Sequence, residues 1–141
     1  MLSFWDASAV VNVCVPSPVS SRTRKLLREH PPVVWWGTSV EVRSALARLR
    51  REGALSPAAV QASIDRLIYG LQSWREIQPT EPVRDLAAEL LDRFTLRAGD
   101  AFQLSAALVW SKRRPRGRLF VCNDQRLAAA AMETGFDVSG T

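Results

Sequence analysis

The sequence predicts an α/β fold in three layers, with helices on both faces of a short, mostly parallel sheet. Short apolar segments alternate with helical segments along the whole chain, an order that is typical of parallel sheets covered on both sides. The length of 141 residues corresponds to a single domain over 1–141, which is large enough to bury its own core without disulfides or metals.

In the first half of the chain, β-branched and aromatic clusters predict strands, and apolar residues recurring every three or four positions predict helices. The elements in order are a strand at 2–5, a short helix or turn at 7–13, a breaker at 16–19, a basic helix at 20–30 and a strand at 33–36. Thr38 then starts a helix that ends at Gly53, and Ser56-Pro57 caps and starts the next helix, with proline where its missing N–H is harmless.

The second half continues the alternation. A strand candidate at 75–79 precedes an amphipathic helix whose apolar stripe runs from Val83 to Phe94. The following helix is apolar almost all round, which indicates that it is buried. The remaining elements are that buried helix at 100–111, a basic loop at 112–118, a strand at 119–122, a helix that ends at Gly135 and a strand at 136–138.

Composition narrows the function classes. The net charge is +5 and seventeen of the nineteen basic residues are arginine, which suits either a nucleic-acid partner or simply a well-solvated surface. Cys14 and Cys122 are expected to be free buried thiols in a reducing cytoplasm, and we expect no signal peptide and no membrane span. The single histidine, His30, makes zinc or triad chemistry based on histidine an improbable function.

Four acidic residues are predicted to lie at the carboxyl edge of the sheet, where ligands bind in parallel α/β folds. Asp6 and Asp124 each follow a predicted strand, and Glu41 and Asp100 each lie at the start of a predicted helix. Four carboxylates at one edge repel each other, and a hard divalent cation such as Mg²⁺ or Mn²⁺ relieves that repulsion. Such a cluster suits metal-assisted phosphoryl chemistry.

Each acid also has a purely structural explanation. Asp6 can bond the backbone of its own turn, and the spacing from Thr38 to Glu41 matches a capping box. Asp100 and Asp124 lie where helix N-termini favour anions. Singly, these explanations compete with a metal site; taken together, the four repelling carboxylates favour the metal.

Four segments of the chain resemble the PIN domain and, within it, the VapC-type toxin ribonucleases of type II toxin–antitoxin systems. They are WDASAVV (5–11), TSVEVRSALARL (38–49), LRAGDAFQLSAAL (96–108) and FVCNDQRLAAAA (120–131). The resemblance implies a PIN-like, Rossmann-like α/β/α fold and an endoribonuclease that depends on Mg²⁺ or Mn²⁺ and cleaves structured RNA such as tRNA or rRNA. It also implies a cytoplasmic homodimer that a cognate antitoxin neutralises.

The resemblance carries over to individual positions. The residues that match the acids of the family, and are implied to bind metal and to catalyse, are Asp6, Glu41, Asp100 and Asp124. Supporting roles are assigned to Ser8, beside the first acid, and Asn123, beside the fourth. Two positions depart from the pattern: Gln103 stands where members often carry histidine, and Cys122 stands where many carry a hydroxyl residue, which bonds more strongly than a thiol.

Two basic segments and the tryptophans have more than one interpretation. The candidates for RNA contacts are Arg22, Arg24 and Lys25 in the basic helix and Arg113, Arg114 and Arg116 in the basic loop. Ordinary solvated surface explains both segments equally well. Most of the five tryptophans are expected in the core or a dimer interface, and one or two are available to line an antitoxin groove.

Two other functions compete with the nuclease. A non-catalytic PIN-like module that binds RNA or serves as a scaffold needs no cluster of repelling acids, so metal binding discriminates it from the enzyme. A receiver domain or an aspartate-nucleophile phosphatase would require DxDxT after the first strand or a lysine after a late strand. The sequence has neither, because its only lysines are Lys25 and Lys112.

Overall fold

A computed structural model, which describes residues 1–16, 18 and 21–141, contains one five-stranded sheet in which every neighbouring pair is parallel. The strands are β1 (Ser3–Trp5), β2 (Pro32–Trp35), β3 (Arg75–Ile77), β4 (Leu119–Val121) and β5 (Asp137–Ser139). Their order across the sheet is β3-β2-β1-β4-β5. The predicted α/β fold is confirmed, and β1 is its central strand.

Seven helices connect and cover the strands among the described residues. They are α1 (Ala7–Cys14), α2 (Ser21–Glu29), α3 (Thr38–Arg51), α4 (Pro57–Leu71), α5 (Glu81–Arg93), α6 (Ala98–Trp110) and α7 (Gln125–Thr134). Consecutive strand residues point to opposite faces, so Phe4 packs with α5, α6 and α7 on one side, and Trp5 packs with α1, α3 and α4 on the other. These two cores make the three layers.

Local sequence signals explain most helix boundaries. Ser56 accepts a hydrogen bond from the Ala59 backbone N–H and Pro57 begins α4, as predicted. Gly135 ends α7 with a φ of 116°, a left-handed conformation that glycine adopts at little cost. The predicted buried helix is confirmed as α6, in which eight residues are buried, including Gln103 and Ser105.

Several predicted boundaries shift. Strand β2 covers Pro32–Trp35, so Trp36 lies in the turn that follows, although its backbone N–H still bonds Ile77 O at 3.0 Å. Helix α6 begins at Ala98, two residues before the predicted start, and β5 ends one residue later than predicted. Residues 17, 19 and 20, in the predicted breaker and at the start of the predicted basic helix, lie outside the described residues.

Two further expectations concern the cysteines and membranes. Cys14 and Cys122 are both free and buried, as predicted. None of the helices in the described part of the chain combines the length and the apolar character that crossing a membrane requires.

Candidate active site

The central strand delivers Asp6 to the carboxyl edge of the sheet. Trp5 pairs with Val121, and the Asp6 backbone N–H bonds Val121 O at 3.1 Å, which fixes the end of β1 against the end of β4. The Asp6 side chain is only 3% exposed and caps α1, because its Oδ1 accepts from the Ala9 backbone N–H at 3.0 Å. Burial raises the pKa of Asp6, and the hydrogen bonds that its carboxylate accepts oppose this shift.

Ser8 and Cys122 complete the surroundings of Asp6. The Ser8 hydroxyl lies 2.8 and 2.9 Å from the two carboxylate oxygens, and the Cys122 thiol lies 3.4 Å from Oδ2. Ser8 Oγ also accepts from the Asn123 backbone N–H at 2.9 Å, so it ties the first acid to the loop after β4. The Cys122 thiol therefore takes part in this network as a donor to Asp6.

Asp124 lies at the end of that same loop and caps α7. Its Oδ1 accepts from the Leu127 backbone N–H at 2.9 Å. The side chain of Asn123 bonds the C-terminal residue instead of the acids: its carbonyl oxygen accepts from the Thr141 backbone N–H at 2.8 Å. The structural role predicted for Asp124, a helix cap, is present together with its position beside the other acids.

Glu41 does not form the predicted capping box. Helix α3 has Gly37 rather than Thr38 as its N-cap, with no capping side chain, so the Glu41 carboxylate is free to turn inward. Its Oε1 accepts from Gln103 Nε2 at 3.1 Å, and the same amide nitrogen donates to Thr38 Oγ1 at 3.0 Å. Both residues of the expected box therefore bond one glutamine on α6 instead.

Burial raises the pKa of Glu41 to about 7. The hydrogen bond from Gln103 lowers this value, whereas the negative charges of Asp6 and Asp100 raise it further. The carboxylates of Asp6 and Asp100 are therefore close enough to Glu41 for their charges to affect its pKa.

Asp100 lies in the first turn of α6 rather than at its first residue, because the helix begins at Ala98. Burial raises the pKa of Asp100, and the charge of Asp124 adds to the increase. The backbone N–H of Arg97 and the charges of Arg97 and Arg126 act in the opposite direction. Gly99, one residue earlier, lies near Glu41, since a Cβ there would make an ordinary contact with Glu41 Oε2 at 3.6 Å.

Three of the four acids, Glu41, Asp100 and Asp124, line one cavity of about 830 Å³ at the carboxyl edge, which we call the acidic cavity. Its wall combines acids with arginines, and its charged lining residues are Glu41, Arg48, Arg97, Asp100, Asp124 and Arg126. Asp6 is buried and does not line the cavity, but its negative charge raises the pKa of Glu41. The structure therefore brings three of the four predicted acids into one cavity, together with three arginines that were not predicted.

The donor set of this cavity fits a hard divalent cation in chemistry and charge. Carboxylate oxygens are the ligands that Mg²⁺ and Mn²⁺ prefer, and the mutual repulsion of the acids is what a cation would relieve. Among the described residues, however, no three histidine, cysteine, aspartate or glutamate side chains form a ready-made metal-binding group. The cavity thus offers the oxygen donors and the negative charge that such a cation prefers, but its side chains do not form a coordination shell in advance.

The predicted basic contacts divide between two ends of the sheet. Arg22 Nη2 donates to Ser139 Oγ at 3.3 Å, and Ser139 ends β5 at the carboxyl edge, so the start of α2 lies at the same edge as the acids. Arg24 and Lys25, in the same helix, are exposed.

The loop 112–118 leads into β4 and therefore lies at the amino edge of the sheet, opposite the acids. Arg113, Arg114 and Arg116 thus do not line the acidic cavity, and their contact with RNA stays a prediction. Arg113 instead lies 3.9 Å from Glu89 on α5. The direction of the chain explains the placement, because any segment that precedes a strand of a parallel sheet lies at its amino edge.

Sequence reasoning marked Gln103 only as a departure from the family pattern, with no role in the site, and it did not identify the cavity arginines. Gln103 is 1% exposed, and its Oε1 has no hydrogen-bond partner among the described residues. A buried glutamine in an otherwise apolar helix was the available signal, because buried polar side chains require partners. The arginines carried no signal beyond the basic composition.

Comparison with known proteins supports the fold. No family model matches the chain, and no curated protein is significantly similar to it. Solved structures do match: PAE2754 from Pyrobaculum aerophilum (TM-score 0.65, 19% identity, covering 98% of this chain and 89% of that one) and FitAcB from Neisseria gonorrhoeae (0.63, 16%, 97% and 96%). A toxin–antitoxin complex from Klebsiella pneumoniae is also similar (0.62, 14%, 89% and 90%). At these identities the similarity establishes the fold, which is the PIN-like α/β/α fold that the sequence resemblance implied.

Proposed function

We propose that this chain is a metal-dependent endoribonuclease and the toxin of a toxin–antitoxin pair. The observation that carries the proposal is that Glu41, Asp100 and Asp124 line one cavity, and that the charge of the buried Asp6 acts on Glu41. Like charges are costly to bring together, so a fold that gathers four of them has a use for their combined charge. The likeness to a structure described as a toxin–antitoxin complex supports the toxin role.

The four acids would hold Mg²⁺ or Mn²⁺, and the bound cation would supply positive charge beside the scissile phosphate. Arg48, Arg97 and Arg126 line the same cavity and would bind the flanking phosphates of the RNA. Glu41 would take part in holding the cation, because its carboxylate lines the same cavity as those of Asp100 and Asp124. Gln103 would keep that carboxylate aimed into the cavity.

The substrate in this proposal is structured RNA of the tRNA or rRNA class, and the protein acts in the cytoplasm as a homodimer. A cognate antitoxin would cover the acidic cavity and keep it from RNA. The basic residues at the start of α2, which share the carboxyl edge with the acids, would extend the RNA-binding surface.

A non-catalytic RNA-binding module is the second candidate, and one observation favours it. Asp6 and Asp124 both cap helices, and the described residues contain no ready-made group of three metal ligands. In that case the arginines of the cavity would bind phosphate, and the acids would serve mainly the helices.

Cleavage of total cellular RNA by the purified protein separates the two candidates. The enzyme yields discrete fragments with Mg²⁺ or Mn²⁺, and none with EDTA or with the Asp6→Asn variant. The control variant is Asp92→Asn, which changes an exposed aspartate on α5. RNA binding without cleavage in any metal, and without calorimetric binding of Mn²⁺, would favour the module.

The toxin role has its own test. Induced expression in a bacterial host should arrest growth, and Asp100→Asn, expressed to the same level, should not. Equal arrest by both proteins would show that toxicity does not depend on the acidic cavity.

A further inference from the structure

A second cavity, of about 510 Å³, lies at the same carboxyl edge, where β2 and β3 end. We call it the aromatic pocket and define it by six of its lining residues: Trp35, Trp36, Gly37, Pro79, Arg84 and Phe102. The proposed catalytic steps do not use any of them. Its size falls within the range of sites for small organic groups.

The floor of the pocket is a stacked pair of rings. Trp35 and Phe102 are parallel within 2°, with ring centroids 5.4 Å apart. Gly37 makes this arrangement possible, because a Cβ at this position would lie 2.6 Å from Trp35 Nε1. The indole of Trp35 therefore lies directly against the backbone of the turn.

Trp36 forms a wall that solvent can reach. Its ring meets that of Trp35 at 71°, with centroids 6.3 Å apart, and its side chain is 52% exposed. The backbone on either side of it is fixed, since the Trp36 N–H bonds Ile77 O and Gly37 caps α3. A large aromatic surface is thus held open to solvent on a fixed backbone.

The aromatic pocket and the acidic cavity are separate, but both include residues from the N-terminal half of α6 and from the start of α3. Phe102 immediately precedes Gln103, the residue that bonds Glu41, and follows Asp100 by two positions on α6. Gly37 is the N-cap of α3, and Glu41 lies in the first turn of that helix. At about 1.5 Å of rise per helical residue, the pocket and the acids lie within the span of a few nucleotides.

The surroundings favour a small aromatic ligand over a protein partner. A stable protein interface buries about 800 Å² on each side. Most other exposed large hydrophobic residues of the described chain lie on other elements: Met1, Leu2, Ile68, Tyr69, Leu91 and Met132. Only Val40, four positions along, is near Trp36 in the sequence. The rim is charged, with Arg84 paired to Glu81 at 3.9 Å, so the apolar surface is confined to the pocket.

We infer that the aromatic pocket binds one unpaired nucleobase of the RNA, stacked on Trp36, while the neighbouring phosphate lies in the acidic cavity. The inference rests on the proposed function and adds a feature to the substrate: a single-stranded nucleotide next to the cleaved bond. Bases of any sequence stack on aromatic side chains, because every base presents a π-face.

The test is binding of a short single-stranded RNA in the Asp100→Asn background, measured by fluorescence anisotropy. Trp36→Ala should weaken binding about tenfold, the usual cost of losing one base–aromatic stack, and Trp36→Phe should retain most of the affinity. The matching change in the RNA is a series of strands that each carry one abasic nucleotide, at a different position in each strand. At one position, the missing base should weaken binding by the parent protein but not binding by Trp36→Ala, because that variant has already lost the stacking contact.

Tyr69→Ala is the matched control, because Tyr69 is an aromatic residue that is 77% exposed on α4, away from both cavities; its affinity should equal that of the parent. The inference would be overturned, and the proposed function left standing, if Trp36→Ala bound RNA as tightly as the parent. The same would follow if every abasic position weakened binding by Trp36→Ala as much as it weakened binding by the parent. A change of oligomeric mass in Trp36→Ala without a change in affinity would also overturn the inference, since the pocket would then be a contact between copies. Failure of the parent to bind RNA would overturn the proposed function as well.

Discussion

Gln103 Nε2 donates to Glu41 Oε1 at 3.1 Å across 62 positions of sequence, at the partly buried edge of the acidic cavity. This bond connects α6 to α3 and sets the orientation of one acid of the cavity. Its donor is a neutral amide, so it does not itself change charge with pH, as an imidazole would.

Gln103→Leu should reduce the free energy of unfolding by about 1–3 kcal/mol, because it leaves the buried Thr38 hydroxyl and the partly buried Glu41 carboxylate without their donor. Gln61→Leu is the control, since Gln61 Nε2 also donates to a carboxylate, that of Asp65, but on the exposed face of α4. Its effect should stay within about 0.5 kcal/mol. Urea denaturation measures both, and equal losses would mean that the Gln103 bond has no special importance.

The pH dependence of stability follows from the raised pKa of Glu41. In the unfolded chain this group titrates near 4.5, and in the folded protein near 7, so the folded state binds more protons between these values. Stability from this group is therefore complete below about pH 4.5 and is lost as the pH rises through about 7. Glu41→Gln should be more stable than the parent above that range.

Thermal melts in EDTA across this pH range measure the difference between Glu41→Gln and the parent. Glu133→Gln, an exposed change on α7, is the control and should show no such trend. Added Mg²⁺ should raise the parent's midpoint most at the alkaline end, where the carboxylates are ionised. A difference between variant and parent that stays constant across the range would contradict the assignment.

Asp100→Asn should reduce the rate of RNA cleavage by about 100-fold or more, without loss of stability. Burial and the charge of Asp124 both disfavour the ionised form of Asp100, so a neutral isostere should leave the melting midpoint unchanged or raise it. Melts in chelator and single-turnover cleavage, with Asp92→Asn as the control, measure the two effects. A lower midpoint would indicate that the carboxylate acts mainly in the first turn of α6.

Gly37→Ala tests how the aromatic pocket is built. The new Cβ would lie 2.6 Å from Trp35 Nε1, so the indole must move, at a cost of about 1–3 kcal/mol. The backbone at Gly37 has a φ of −76°, which alanine adopts without strain, so the whole effect comes from the ring. Gly99→Ala, whose Cβ would make only an ordinary contact at 3.6 Å, should be as stable as the parent. Equal stability of both variants would show that Trp35 repacks freely.

The two arginine groups should differ in their effect on RNA binding. Replacing Arg97 or Arg126, which line the acidic cavity, should reduce the slope of log affinity against log salt by about 0.7 for each phosphate that the variant no longer binds. Replacing Arg114 or Arg116, at the opposite edge of the sheet, should leave the slope unchanged. Titrations at several salt concentrations measure both groups, and the reverse result would place the RNA at the amino edge.

The periodic features of the fold could be read from the sequence, because they depend on neighbouring residues. The alternation of strands and helices, the start of α4 after Ser56 and the end of α7 at Gly135 are all confirmed. The start of α6 was predicted two residues late because Arg97, its N-cap, is not a residue type that commonly caps helices.

The site was less accessible to sequence reasoning, because its contacts join distant segments. The Thr38–Glu41 spacing matched a capping box, yet Gly37 is the N-cap of α3, and the side chains of Thr38 and Glu41 both accept hydrogen bonds from Gln103. Three of the four acids also act on the first turns of helices. Capping and membership of the acidic cavity, which the sequence presents as alternatives, occur together in the same residues.

The position of β1 at the centre of the sheet has a consequence for the timing of synthesis. Phe4 and Trp5 are synthesised more than a hundred residues before their partners Phe120 and Val121. Until β4 is synthesised, β1 can pair only with β2, and Asp124 is not yet present to join the other acids. A nascent chain that is interrupted before β4 therefore lacks the acidic cavity, and a cell is exposed to the assembled cavity only after translation has passed residue 124.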